Sequence, residues 1–124
     1  MNKNVSIKSI IINKPLKLDC GQTINNFPIA YETYGVLNKE KDNAILVFHA
    51  LTGDQFVSGK NPLTKKDGWW SYAVGSGKAI DTDKYFVICA NVIGGCMGSF
   101  GPSNTNPVTN KVYGTEFPII TIND

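Results

Sequence analysis

The chain of 124 residues contains no arginine, one histidine and three cysteines. Without arginine it lacks the planar side chain that best binds carboxylates and phosphates. Its net charge of +2 is too small to indicate nucleic-acid binding. Cys20, Cys89 and Cys96 are odd in number and have no paired metal-ligand spacing. They therefore indicate reduced thiols in a cytoplasmic protein rather than a disulfide framework or a zinc site.

Long hydrophobic runs are also absent. The first 13 residues contain only the short apolar run Ile10, Ile11 and Ile12, which does not make a signal peptide. No stretch approaches the roughly 20 apolar residues that a membrane helix needs. With 42% hydrophobic and 18% charged residues, the composition is that of a folded globular protein. The length allows at most one domain.

The hydrophobic pattern predicts a mixed sheet. Residues 5–12 and Phe27–Tyr34 alternate in polarity and predict an antiparallel pair of strands, a hairpin. The continuous apolar run at 44–48 predicts a strand buried on both faces. Residues 69–74 predict a short helix, and residues 85–90 predict a fourth strand. Two apolar strands with a helix between them predict a parallel pair joined by a right-handed crossover.

The final residues have the pattern of a helix start. Residues 117–124 lead up to Asp124, which is a favourable N-cap residue. Domains rarely end on such a signal. We therefore expect residues 1–124 to be a truncated portion of a single α/β domain.

The sequence His-Ala-Leu-Thr-Gly at 49–53 directly follows the apolar run 44–48. A loop at this place can direct backbone N–H groups at a developing oxyanion in acyl transfer. The backbone N–H of Leu51 is the candidate donor. The alternative is an ordinary turn after the strand, with His49 as a buried histidine.

The sequence Gly-Gly-Cys-Met-Gly at 94–98 fits a nucleophile elbow with cysteine in place of serine. Cys96 would then be the nucleophile and His49, the sole histidine, its base. A helix should follow such an elbow, but Pro102 and Pro107 disfavour one. The alternative is a glycine-rich loop that shapes a pocket.

Several stretches together make the chain resemble the N-terminal part of the homoserine O-acetyltransferase family, whose members have an α/β-hydrolase fold. They occur in order from about residue 18 to the last residue, and no single one is specific. The stretches are AYETYG at 30–35, HALTG at 49–53, GWW at 68–70, GKAIDTDKYFVI at 77–88, NVIGGCMGS at 91–99, GPS at 101–103, YGTEFP at 113–118 and TIND at 121–124.

The resemblance implies that a serine takes an acetyl group from acetyl-CoA and passes it to the hydroxyl of homoserine, in methionine biosynthesis. It implies no resident cofactor and no metal. In the family the serine, aspartate and histidine of the triad lie beyond the position of Asp124. Only the oxyanion-hole role carries over, to Leu51. The family has the 94–98 loop beside a separate serine elbow, which disfavours Cys96 as nucleophile.

Three hypotheses follow. The chain is an incomplete acyltransferase domain that is inactive alone, or a scaffold that complements a second polypeptide. In the scaffold case, the strand at 44–48 would have an exposed edge that promotes self-association. The third hypothesis is a small hydrolase that uses Cys96 and His49. In none of them do we expect nucleic acid or a membrane as a partner.

Overall fold

The computed structural model describes residues 7–124 and divides them into two compact units. Of the described residues, the first unit contains Ile7, Lys8 and Tyr31–Ala90. The second unit contains Ser9–Ala30 and Asn91–Asp124. The strand Phe27–Tyr34 contributes its first four residues to the second unit and its last four to the first.

Eight short strands and one 3-10 helix make up the regular structure of the described residues. In chain order they are β1 (Ser9–Ile12), β2 (Leu16–Lys17), β3 (Thr23–Ile24), β4 (Phe27–Tyr34), β5 (Ala44–Val47), β6 (Val74–Gly75), β7 (Ile80–Asp81), β8 (Phe86–Ala90) and the 3-10 helix Gly114–Glu116.

The first unit is built on a mixed three-stranded arrangement. Residues 31–34 of β4 pair antiparallel with β8, and β8 pairs in parallel with β5. The expected parallel pair of the two apolar runs is thereby confirmed, with Leu46 opposite Ile88. Strands β6 and β7 form a second parallel pair within the connection from β5 to β8.

One side of this arrangement is covered and the other is open. Buried side chains pack on the covered side, namely Val47, Val57, Val74, Val87 and Cys89. On the other side Leu46 is 55% exposed, and Phe48, just after β5, is 80% exposed. The prediction that residues 44–48 are buried on both faces is therefore wrong. The reason is that β5 pairs only with β8 among residues 7–124, and nothing described there covers Leu46.

The second unit contains the antiparallel pair that the sequence predicts. Residues 27–30 of β4 pair with β1, and the ribbon of β2 and β3 lies between them in the chain. The hydrophobic core of this unit contains the buried side chains of Leu18, Ile24, Phe27 and Phe100. Tyr113 packs edge-on against the ring of Phe100, with the ring centroids 5.6 Å apart. Phe117 packs against the same ring at a tilt, with the centroids 4.9 Å apart. Residues 5 and 6 of the predicted first strand lie outside the described residues.

The helix predicted at 69–74 is wrong. The N–H groups of Ser71 and Ala73 donate to carbonyls three residues earlier, so the segment consists of turns. The rings of Trp69 and Trp70 stack with centroids 5.8 Å apart. Val74 then becomes extended and pairs with Ile80. The pairing of β6 with β7 ends the local turn before a helix can develop.

The N-cap role predicted for Asp124 is also wrong. The Asn123 N–H donates to Thr121 Oγ1 at 3.2 Å, which is the contact that an N-cap side chain makes. Asp124 instead accepts the Thr121 N–H at 2.7 Å. Thr121 is therefore the cap, and Asp124 lies three residues after it.

Candidate functional site

The loop at residues 49–53 begins just beyond β5. The Gly53 N–H donates to the Ala50 carbonyl at 2.7 Å and closes a tight turn. His49 is half-buried, and its Nδ1 lies 2.7 Å from the same carbonyl oxygen. Leu51 lies at the tip of the turn and is 96% exposed. Its side chain therefore does not pack in the core. A functional role of Leu51 would then depend on its backbone.

The backbone N–H of Leu51 has no hydrogen-bond acceptor within residues 7–124. Most backbone N–H groups in folded proteins are paired with an acceptor or with water. An unpaired N–H just beyond a strand end is a donor available to a ligand oxygen. The oxyanion role of Leu51 stays a prediction, and this geometry supports it.

Asp54 fixes the chain directly after this loop. Its carboxylate accepts the Phe56 N–H at 2.8 Å and the Asn61 amide at 3.2 Å. Its carbonyl accepts the Trp69 indole N–H at 2.9 Å. These contacts hold the backbone that directly follows the loop in one conformation. Our sequence reasoning missed Asp54, although an aspartate two residues before the N–H it binds is a known turn pattern.

Cys89 lies beneath this loop, in the covered core of the first unit. Its Sγ is 4.0 Å from the Asp54 carbonyl oxygen. Burial, with a further contribution from the charge of Asp54, raises the pKa of the Cys89 thiol to about 11. Because the thiolate is the reactive form, Cys89 is suited to packing and not to nucleophilic attack.

The glycine-rich loop after β8 is organised by buried polar groups. Ser99 Oγ accepts the Ala30 N–H at 2.9 Å and donates to the Asn91 carbonyl at 2.5 Å. A side chain at Gly101 would place its Cβ 2.3 Å from the Gly95 carbonyl oxygen. A Cβ at Gly95 would lie 2.9 Å from the Val92 carbonyl oxygen, so close backbone packing accounts for glycine at both positions.

Cys96 is exposed on this loop. It belongs to the second unit and His49 to the first, so neither unit contains both residues. No helix follows Cys96 before the 3-10 helix Gly114–Glu116. The strand–turn–helix context of a nucleophile elbow is thus missing. The pairing of Cys96 with His49 stays an untested prediction.

The second unit also contains a cleft of about 560 Å³. None of its lining residues carries a charge, so it offers no ion pair to a carboxylate or a phosphate. The lining residues are Gln22, Thr23, Ile24, Asn25, Asn26, Pro28, Phe100, Asn104, Thr105, Asn106, Pro107, Val108, Tyr113 and Pro118.

In the described part of the chain, no three His, Cys, Asp or Glu residues are grouped to hold a metal ion. That part also contains no helix of a length and hydrophobicity that could span a membrane.

Known proteins were compared with the chain. No protein-family model matches it. A homoserine O-acetyltransferase from Pelagibacter ubique (strain HTCC1062) is 83% identical over all 124 residues of the chain. The match covers 33% of that relative, so the chain spans about a third of its length.

Solved structures agree with this match. The homoserine O-acetyltransferase of Bacillus anthracis superposes with a TM-score of 0.82 at 34% identity, over 94% of this chain and 32% of that one. A crystallised esterase superposes with a TM-score of 0.82 at 32% identity, over 95% of this chain and 34% of that one. The comparisons confirm the resemblance to homoserine O-acetyltransferases, and the mixed sheet is part of an α/β-hydrolase fold.

Proposed function

We propose that this chain forms part of a homoserine O-acetyltransferase and supplies an oxyanion-binding N–H group, that of Leu51. The substrates would be acetyl-CoA and homoserine, in the cytoplasm. The identity of 83% to a homoserine O-acetyltransferase carries the assignment. The unpaired Leu51 N–H just beyond β5 supports the oxyanion-binding role.

In the proposed reaction, a nucleophilic oxygen attacks the thioester carbonyl of acetyl-CoA and forms an acetyl-enzyme with release of the thiol. The hydroxyl of homoserine then attacks this ester and takes the acetyl group. Each attack places negative charge on the carbonyl oxygen. The Leu51 N–H would donate to that oxygen in both steps. Loss of one such donor typically lowers kcat by roughly 10²–10³-fold.

We expect the 124-residue chain to be inactive alone. Its sole histidine is His49, whose Nδ1 already lies 2.7 Å from the Ala50 carbonyl oxygen. The match covers 33% of the Pelagibacter relative, and the resemblance implies a triad in the part that it does not cover. The purified chain should transfer no acetyl group from acetyl-CoA to homoserine, and detectable product in a thiol-release assay would contradict this.

Hydrolysis is the alternative reaction at such a site. The structural likeness to an esterase favours it, because water can attack the same acetyl-enzyme in place of homoserine. The higher sequence identity to an acetyltransferase favours transfer. When the chain is complemented as described below, the ratio of O-acetylhomoserine to free acetate that is formed distinguishes the two reactions.

The decisive experiment is complementation. The chain is co-expressed with the part of the Pelagibacter relative that the match does not cover, and acetyl transfer is measured. Leu51→Pro removes the N–H group and should abolish most of the restored activity. Leu51→Ala keeps that group and should retain the activity. Equal activity of the two variants, with equal binding of the complementing part, would exclude the oxyanion role.

A scaffold function is a second candidate, from a different class. It is favoured by the outer edge of β5, which pairs with no strand among residues 7–124, and by the exposed side chains of Leu46 and Phe48. A strand from another polypeptide could pair there through main-chain hydrogen bonds. Binding of the complementing part without restored acetyl transfer would support this reading over the catalytic one.

A further inference from the structure

Residues 121–124 form a turn with reciprocal side-chain to backbone hydrogen bonds, similar to those of a capping box at a helix start, and this turn is called the capping box below. The Thr121 N–H donates to Asp124 Oδ2 at 2.7 Å, and the Asn123 N–H donates to Thr121 Oγ1 at 3.2 Å. The Asp124 N–H reaches the Thr121 carbonyl at 3.3 Å and closes the first turn. The start of this turn is therefore defined by its own side chains.

Asp19 holds the same turn from a distant part of the sequence. Its Oδ2 accepts the Thr121 hydroxyl at 2.9 Å and the Asn123 side-chain amide at 3.0 Å. Its own N–H donates to Asp124 Oδ1 at 2.8 Å. One residue thus contacts three of the four residues of the capping box, across more than 100 positions of sequence.

Asp19 is itself fixed by the core of the second unit. The preceding Leu18 is 2% exposed and packs in that core. The turn around Asp19 is closed by two backbone bonds, Leu18 N–H to Gln22 O at 2.8 Å and Gly21 N–H to Leu18 O at 2.9 Å. Ile120, just before the capping box, packs against the same core. Both sides of the contact are therefore anchored.

The hydroxyl group of Thr121 can make both of its hydrogen bonds at once, one as donor and one as acceptor. A threonine hydroxyl has one proton to donate and can still accept. Because Thr121 donates that proton to Asp19, its oxygen presents a lone pair to the Asn123 N–H. The negative charge of Asp19 also lies beside the positive end of the turn, which is favourable.

We propose that Asp19 is a positioning residue that sets where the turn at residues 121–124 begins and how it is oriented on the second unit. This goes beyond the acyl transfer proposed above and does not depend on it.

Amide hydrogen exchange by NMR tests this proposal, in a chain that carries Leu46→Lys/Phe48→Lys so that charges replace the two exposed apolar side chains and keep it monomeric. Asp19→Ala should speed exchange at the Thr121 and Asn123 amides by roughly three- to tenfold, the size of effect expected for the loss of a typical solvent-accessible hydrogen bond. The amides of Ala30 and Phe100, in the core of the same unit, should be unchanged. Asp42→Ala is the matched control, because Asp42 bonds only within its own exposed loop.

Two further measurements separate positioning from general stability. Asp19→Asn keeps an acceptor oxygen and should have an intermediate effect. The effects of Asp19→Ala and Thr121→Val should not add when combined, because both break the same contact.

Two results would overturn the proposal. One is unchanged exchange at Thr121 and Asn123 in Asp19→Ala. The other is an equal increase at Ala30 and Phe100, which would mean that Asp19 only stabilises the unit as a whole.

Discussion

At the scale of single residues, the three cysteines differ in whether they are buried, although all three are expected to be reduced thiols. Cys20 and Cys96 are exposed, whereas Cys89 is buried at a β8 position facing the core. The alternation of β8 could have indicated this, because Val87 and Cys89 lie on the same face. The raised pKa of Cys89 could not have been predicted, since it depends on burial and on Asp54, 35 residues earlier.

Thiol labelling should therefore distinguish these cysteines. At pH 8 we expect Cys20 and Cys96 to react rapidly with a chromogenic disulfide reagent. Cys89 should react at least ~100-fold more slowly, because its pKa of about 11 leaves little thiolate and burial hinders access. In denaturant all three should react at similar rates. Three rapid equivalents from the folded chain would contradict the buried position of Cys89.

A second residue-scale prediction concerns Gly35. Its φ of +76° is unfavourable for other residues, and an added Cβ would lie 2.2 Å from the Tyr85 carbonyl oxygen. Gly35→Ala should lower the free energy of unfolding by roughly 3 kcal/mol or more. Gly77→Ala is the control, with φ of +68° and open space around the Cβ, and should cost about 1 kcal/mol. Urea unfolding measures both, and equal losses would disprove the steric explanation.

At the scale of elements, periodicity predicted the strands well and the connections poorly. Phe27–Tyr34 is a strand over the predicted residues because it is rich in aromatic and β-branched residues, which favour strands. The apolar run at 85–90 becomes β8 at Phe86–Ala90. The segment at 69–74 has helix-compatible residues but forms turns, because Val74 pairs with Ile80. That pairing is a contact between segments, which local propensity does not contain.

The turn at residues 81–84, which begins in β7, leads to a prediction about how stability depends on pH. The Asp81 carboxylate accepts the N–H groups of Asp83 and Gly77, which lowers its pKa below the ordinary 3.8, and nearby Lys84 adds to this. The ionised form is therefore favoured in the folded state. The stabilisation is present above pH 4 and is lost as pH falls through the lowered pKa.

Asp81→Asn should accordingly reduce the loss of stability between pH 5 and pH 2, as measured by urea unfolding. The asparagine oxygen can still accept both N–H groups, so the turn keeps its geometry. Lys84→Met should have a smaller effect, because the backbone hydrogen bonds contribute more to the shift than the lysine. An unchanged pH dependence in Asp81→Asn would show that the turn does not bind the ionised carboxylate preferentially.

At the scale of the whole molecule, the candidate site was predictable only in part. The loop at 49–53 and the backbone of Leu51 could be selected because they follow an apolar strand and match a family. The support from Asp54, and the contact of Asp19 with Thr121, join residues far apart in sequence and required the fold. The burial of residues 44–48 was predicted incorrectly because an apolar run does not show whether a neighbour covers it.

That open strand leads to the last prediction, which concerns self-association. Leu46, Phe48 and Leu51 are 55%, 80% and 96% exposed, and the net charge of +2 provides little repulsion between copies. We expect light scattering after gel filtration to show oligomers that grow with concentration, and circular dichroism to show a broad thermal transition. The double variant Leu46→Lys/Phe48→Lys should be monomeric, because it places charges beside the open edge. Val36→Lys, which changes a residue that is 79% exposed outside the strands, should associate like the parent. A monomeric parent with a sharp transition would mean that the open edge of β5 does not drive association.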